Sequence, residues 1–412
     1  MVRKSRFRGK NIKSLRSLLI LCAGLLVTVS LSIVPTVASA NSIVGVYDAP
    51  TNSVSAALTP DNRELWVPSY SGVSINVYNA TTMSLVRTIN STALSGLSPI
   101  AVAFSPDGSI AYVTSEDQLI FINAVTGSFI PVTGTSTPLV LNMQSGASVQ
   151  NFAVSENGRS LYMPSSWLNK IFVYDLTNIQ NIPTPVEIST VVNPTFISIS
   201  SSKSLGVVSG SDGMQFFSLL TNQILPAPAF LEINSYPSNP VLSPDGNFVY
   251  ITWTGLELRK IDSLQRSLVD SENLPTNCVN VCNGLSITPN GNQVWATNWF
   301  TSGFNVFSSE SLLEISELNP PQTFISQSSR LPAMNSSGTN IYSLPATANT
   351  QKIVVASINP AQGIIPTPIP TEVELAQTGN SLDAIGISAL FLVFGTGLFA
   401  LGILSRKKKN VR

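Results

Sequence analysis

Few residues of this 412-residue chain are of types that do chemistry, and their spacing restricts that chemistry further. There is no histidine. Ser-His-Asp and Cys-His nucleophiles, HExxH zinc sites and histidine pH switches are therefore excluded. Of the three cysteines, Cys22 lies in an apolar run near the N-terminus, and Cys278 and Cys282 stand four residues apart. In an exported chain such a pair is expected to form a disulfide that shapes its loop, the alternative being two free thiols. Two thiols without further ligands make no zinc site. Asp107 and Asp245 occupy Pro-Asp-Gly turns, where an aspartate caps the turn, and no EF-hand run occurs. Pairs of carboxylates could in principle hydrolyse glycosides, but spacing does not show two of them converging in space. No cofactor and no metal are expected, and catalysis is less expected than binding.

A repeated element positions these residues. The turn blocks Thr59-Pro60-Asp61-Asn62, Ser105-Pro106-Asp107-Gly108, Ser155-Glu156-Asn157-Gly158, Ser243-Pro244-Asp245-Gly246, Thr288-Pro289-Asn290-Gly291 and Asn335-Ser336-Ser337-Gly338 recur along the middle of the chain. A degenerate copy, Ser200-Ser201-Ser202-Lys203, fills the one wide gap, so that blocks recur every 43 to 50 residues. Seven residues after each block begins stands a large apolar residue: Trp66, Tyr112, Tyr162, Val207, Tyr250, Trp295 or Tyr342. Alternating stretches such as Lys170–Asp175 and Lys352–Ser357 follow. Proline presets φ, Asp caps, and Gly or Asn accepts a positive φ, so each block reads as a tight turn between antiparallel strands. Four short strands per unit of this length, repeated, indicate a β-propeller. The expected fold class is all-β, a seven-bladed propeller of four-stranded antiparallel blades over 41–359; six or eight blades are the competing counts. The ring is expected to close by pairing Ile43–Tyr47 as an outer strand beside Lys352–Ser357.

The blocks resemble the YVTN family of surface propellers, most clearly in the run from Pro99 to Ser115, which contains Ala101-Val102-Ala103-Phe104-Ser105-Pro106-Asp107-Gly108 and Tyr112-Val113-Thr114. The resemblance covers most of 42–360 and bears on fold, not activity. In that family's blade, the loop after Tyr-Val-Thr opens on the face opposite the turn blocks, together with the connections between blades. It therefore implies a candidate ligand face carrying Tyr70, Trp167, Tyr236, Trp253, Trp299 and Phe300, with Cys278 and Cys282 on the same side. The alternative for each ring is burial between blades. Aromatic side chains on such a face anchor protein partners and stack on sugars.

The two ends read as addresses. Residues 1–40 have a basic stretch to Arg16, an apolar stretch from Leu18 to Val34, and Ala38-Ser39-Ala40, the pattern of a signal peptide cut before Asn41. Residues 360–374 include Pro366, Pro368 and Pro370 and read as an extended stalk. Residues 375–412 begin with Leu375-Ala376-Gln377-Thr378-Gly379. An uncharged apolar segment, 384–404, expected as a transmembrane helix, and the basic cluster Arg406-Lys407-Lys408-Lys409 follow. This order resembles the sorting signal of Gram-positive surface proteins, in which sortase cuts between Thr and Gly and joins Thr to an amine of the cell wall or a pilus. Here the bond would be Thr378–Gly379. The commoner motif has Pro where Ala376 stands, which bears on the class of sortase.

The whole-chain charge of zero hides these regions. Seven bases and no acid lie in the first 40 residues, whereas 41–379 hold 10 bases and 21 acids, a net charge of −11. An acidic body disfavours nucleic acid and favours neutral or basic partners. The expected activity is surface binding or adhesion to an extracellular protein or glycan. A lactonase-like or glycan-active hydrolase built on carboxylates, and a passive wall or pilus component, are the alternatives.

Overall fold

The structure, a computed structural model, describes residues 40–92, 94, 96–143, 151–226, 238–253, 255–279, 282–298, 301–321, 331–344, 351–359, 389–394 and 397–402. Residues 1–39, the stalk 360–374 and the motif 375–379 lie outside the described residues, as do Tyr236, Trp299 and Phe300.

Seven four-stranded antiparallel sheets form the blades of a β-propeller. In each of blades 1 to 6 the strands lie side by side in chain order, here called A to D, as in Ala101–Phe104, Ile110–Ser115, Gln118–Asn123 and Val140–Asn142 of blade 2. Blade 7 takes Ala333–Met334, Asn340–Ser343 and Gln351–Ser357 from the end of the ring and Ser42–Ala49 from its start. The register there pairs Ile43 with Ala356 and Tyr47 with Ile353, which is the expected closure. Both ends of the ring thus meet in one sheet.

The turn block starts each blade. In blade 2 the Ser105 hydroxyl donates to Asp107 Oδ1 at 2.5 Å and accepts the Ile110 N–H at 2.9 Å. The Gly108 N–H closes the turn on Ser105 O at 2.8 Å, with φ at +71°, a conformation that glycine adopts without steric cost. A Cβ on the equivalent Gly158 would also come within 3.1 Å of Pro106 in the preceding blade. In the degenerate fourth block the turn falls one residue later: the Ser204 N–H donates to Ser201 O, and Ser204 takes the positive φ. Its register survives because Ser200 still pairs with Leu205.

Strands B and C are buried on both faces because each blade is sandwiched between two others. The core is accordingly seven apolar wedges, one at each blade junction, and not one central mass. Alternation along a strand sends successive side chains to opposite neighbours. Leu65 and Val67 pack toward blade 7, and Trp66 between them packs toward blade 2. The repeated large residue always faces the next blade. Where it is tyrosine it can also latch that blade: the Tyr250 hydroxyl donates to Ser309 O at 3.1 Å, and that of Tyr342 to Ala80 O at 2.7 Å. Burial pushes the Tyr250 phenol up to about 12, so it remains a donor at physiological pH.

Near the axis, the residues that lead into the first strands stitch neighbouring blades. The Ser55 hydroxyl donates to Ile100 O, Asn151 accepts the Ile197 N–H, and Asn239 makes reciprocal bonds with the Leu285 backbone. Backbone groups that the short inner strands leave without sheet partners are thereby satisfied.

The segment 384–404, expected as a transmembrane helix, is described only in part. Its described residues, Ala389–Phe394 and Gly397–Gly402, pair as antiparallel strands, and the remaining residues of the expected helix lie outside the described residues. No described helix is long and apolar enough to cross a membrane. The hairpin and the propeller belong to separate compact units.

Candidate ligand-binding face

The B–C turns and the connections between blades share one end of the ring. On that end the structure separates the aromatic residues expected there. Trp167 lies at the tip of the four-residue loop between Ser160–Ser165 and Lys170–Asp175 and is 77% exposed. Tyr70, on the corresponding loop of blade 1, is 44% exposed. Its hydroxyl donates to Glu116 Oε1 of blade 2 at 3.2 Å.

Trp253 is a correction. It is only 1% exposed and belongs to the wedge between blades 4 and 5, with Met214, Phe216, Ile251 and Ile261. Strand B of blade 5 runs on through Trp253, which pairs with Glu257, so its ring points between blades. The Arg259 guanidinium, itself bonded to Glu257 at 2.9 Å, covers the ring at 4.7 Å from its centre. Trp253 is therefore a packing residue.

Cys278 and Cys282 form a disulfide with Cα atoms 5.1 Å apart. Both cysteines are buried in the wedge between blades 5 and 6. Asn298 donates from its amide to Asn277 O at 2.7 Å and to Asn305 Oδ1 at 2.9 Å, joining the disulfide loop to the end of strand B.

The Trp167 loop is held rigidly from below. Asn169, at φ +53°, ends the loop; its carbonyl accepts the Thr190 N–H at 3.0 Å and its side chain accepts the Asn193 N–H at 2.8 Å. The blade 3 to blade 4 connection is fixed in turn, since the Ser211 N–H donates to Val192 O and the Val192 N–H donates to Asp212 Oδ1, both at 2.8 Å. Leu168 and Val192 are exposed beside Trp167, so one apolar patch spans blades 3 and 4. Leu168, Val192, Glu116, Asp117 and Asp212 were not singled out from sequence. For all but Val192, which lies in the connection between blades 3 and 4, the signal was available in the two- to four-residue gaps between consecutive alternating stretches, which mark the turns of this end.

The opposite end carries the turn blocks and three clefts of about 450, 370 and 360 Å³. Each lies between the blocks of adjacent blades. Asp107 is held below the usual carboxylate range, first by the Ser105 hydroxyl and then by the Ser109 N–H; Thr59 acts likewise on Asp61 and Ser243 on Asp245. A lowered folded-state pKa stabilises the fold above the ordinary value of 3.8, and that contribution is lost as pH falls through the folded value. The melting temperature should thus be nearly flat from neutral pH to about 5 and fall below about 4. Asn157 and Asn290 already occupy the Asp position in blades 3 and 6, each accepting a backbone N–H through its side chain. An Asp107→Asn, Asp245→Asn variant should fold normally at pH 7 and lose less stability in acid. A pH series of thermal melts in which both proteins fall together would contradict this.

Among the described residues, no three Cys, Asp or Glu side chains are grouped so as to hold a metal ion.

The architecture places the chain among seven-bladed β-propellers. Solved structures with the same fold include hydrazine synthase of Kuenenia stuttgartiensis, 16% identical with a TM-score of 0.59, covering 77% of this chain and 97% of that one. The β-propeller domain of Myceliophteria thermophila Cps50 (Swd1) is 11% identical with a TM-score of 0.60, covering 77% and 99%. At these identities the likeness concerns the fold alone. No family model and no curated protein matches the sequence.

Proposed function

We propose that this chain is an exported, wall-anchored propeller that binds an extracellular protein or glycan through the end bearing Trp167. One observation carries the binding reading: a tryptophan 77% exposed at the tip of a loop whose base is fixed by two hydrogen bonds to Asn169, from a connection itself held by two more. An exposed large aromatic on a rigid support offers contact area at little cost in ordering. The export reading rests on 1–40 as a signal peptide, and the anchoring reading on Leu375–Gly379 ahead of the apolar segment and the basic tail. The resemblance of the turn blocks to YVTN surface repeats supports a surface location.

A glycan-array and matrix-protein screen of 41–374 tests the binding, with saturable binding expected and none counting against it. The propeller is a suitable probe because its ring closes on itself with its own core. For the anchor, the protein is expected in high-mass covalent wall material when sortase is present. Persistence of that material in a sortase deletion would overturn the anchoring.

A further inference from the structure

The apolar patch on blades 3 and 4 has a distinctive electrical setting. Three bases lie near this end of strand C in their blades, and all three are engaged: Lys170 pairs with Glu187, Arg259 with Glu257 and Lys352 with Asp48. Arg63, Arg159 and Lys203 lie in or beside the turn blocks at the other end, and Arg266 lies in a C–D turn, also at that end. Beside the patch, Glu116 and Asp117 form the B–C turn of blade 2 and Asp212 belongs to that of blade 4. Among the described residues none of these three acids is in an ion pair with a base; Glu116 accepts the Tyr70 hydroxyl and Asp212 accepts the Val192 N–H. The patch of Trp167, Leu168 and Val192 is therefore flanked on two adjoining blades by carboxylates that lack a cation.

We propose that this surface docks a cationic polypeptide segment, one in which lysine or arginine lies next to an apolar side chain. The proposal rests on the binding reading above and specifies its partner. Trp167 offers a ring face to a guanidinium or ammonium group and to its aliphatic stem, while Leu168 and Val192 take the apolar neighbour. Glu116 and Asp117 on one side and Asp212 on the other receive the remaining charges. The net −11 of residues 41–379 adds long-range attraction for such a partner. A polyanion is repelled by the same acids. An uncharged glycan would use the ring and leave the carboxylates without a role.

The test uses 41–374 and three fluorescent probes: a twelve-residue peptide alternating Arg, Leu and Gly, the same peptide with Glu for Arg, and a neutral oligosaccharide set. Binding is followed by anisotropy at low and high salt. Saturable binding of the Arg peptide is expected, weakening about tenfold or more as salt rises from about 25 to 300 mM. Trp167→Ala should weaken it at least about tenfold. A Glu116→Gln, Asp117→Asn, Asp212→Asn variant should do the same and lose most of the salt dependence. Its fold should hold, since the amide oxygen introduced at position 212 can still accept the Val192 N–H. A control variant at the other end, Asp262→Asn with Glu310→Gln, should bind as the parent does. Unchanged melting temperatures would exclude misfolding as the cause. Absence of Arg-peptide binding, equal binding of the Glu peptide, or indifference to the triple substitution overturns the proposal. If the neutral oligosaccharides bind through Trp167 without salt dependence, the cationic partner is wrong while the binding-face reading stands. Failure of every probe, together with a negative screen, removes both.

Discussion

A chain that begins at Pro50, lacking Ser42–Ala49, is expected to lose stability comparable to that of a whole domain, about 5 kcal/mol or more. The lost strand is the outer member of blade 7 and, among the described residues, the only sheet pairing between the two ends of the ring. Its removal exposes an unpaired edge along Gln351–Ser357 and strips Ile43, Val46 and Tyr47 from the wedges on either side of that blade. Polar bonds that hold the same seam go with it or lose their support. Asn41 accepts the Asn359 N–H at 2.6 Å, and the Ser53 N–H donates to Gln351 Oε1 at 2.7 Å, with Gln351 donating back to Ser53 O. Circular-dichroism melts should show an unfolded or loosely folded chain at 37 °C. A synthetic peptide of residues 41–49 should restore cooperative melting by adding back the strand. A truncated chain melting within a few degrees of the parent would show that the wedges alone close the ring.

Trp295→Ala is expected to cost about 3–5 kcal/mol, measured as a shift of the urea midpoint at constant slope. Trp295 is fully buried at the junction of blades 6 and 7, with Phe304 edge-on at 5.5 Å and Val306, Ile341 and Val354 around it. Its indole N–H donates to Gln293 Oε1 at 2.9 Å. The same Gln293 amide donates to Asn359 O, so the substitution would open a cavity and also loosen a polar contact that fixes the closing blade. Trp295→Phe keeps most of the volume and should cost roughly half as much. If Trp295→Ala cost less than about 1 kcal/mol, the junction would have to collapse around the cavity far more freely than close-packed cores do.

Much of the propeller was legible because its signals are local. A Pro-Asp-Gly turn acts through the φ preferences and side-chain bonds of four to six consecutive residues, and the same bonds appear around Ser105, Ser155 and Ser243. The closing strand was legible because an unassigned alternating stretch at the start faced an incomplete last blade. The degenerate fourth block could be placed by spacing, but its later turn at Ser204 depended on the pairing of Ser200 with Leu205. The ligand face was legible only in outline. Trp167 and Trp253 stand at similar distances from their turn blocks, yet one is at a loop tip and the other ends a strand.

The sequence by itself determined the repeat, the order of the blades, the strand that closes the ring and the acidity of the body, because each follows from periodicity, short-range sterics or counting; it favoured seven blades over six or eight, and the seven sheets of the structure fixed that count. Tertiary structure decided which aromatic side chains meet solvent, which bases are already paired, and that the B–C turns holding Glu116, Asp117 and Asp212 belong to the blades on either side of the one that bears Trp167. Those outcomes depend on strand register and on neighbours about one blade away in the chain. A side chain's surroundings there are set by residues roughly 46 positions distant, as between Asn151 and Ile197, which no local pattern specifies.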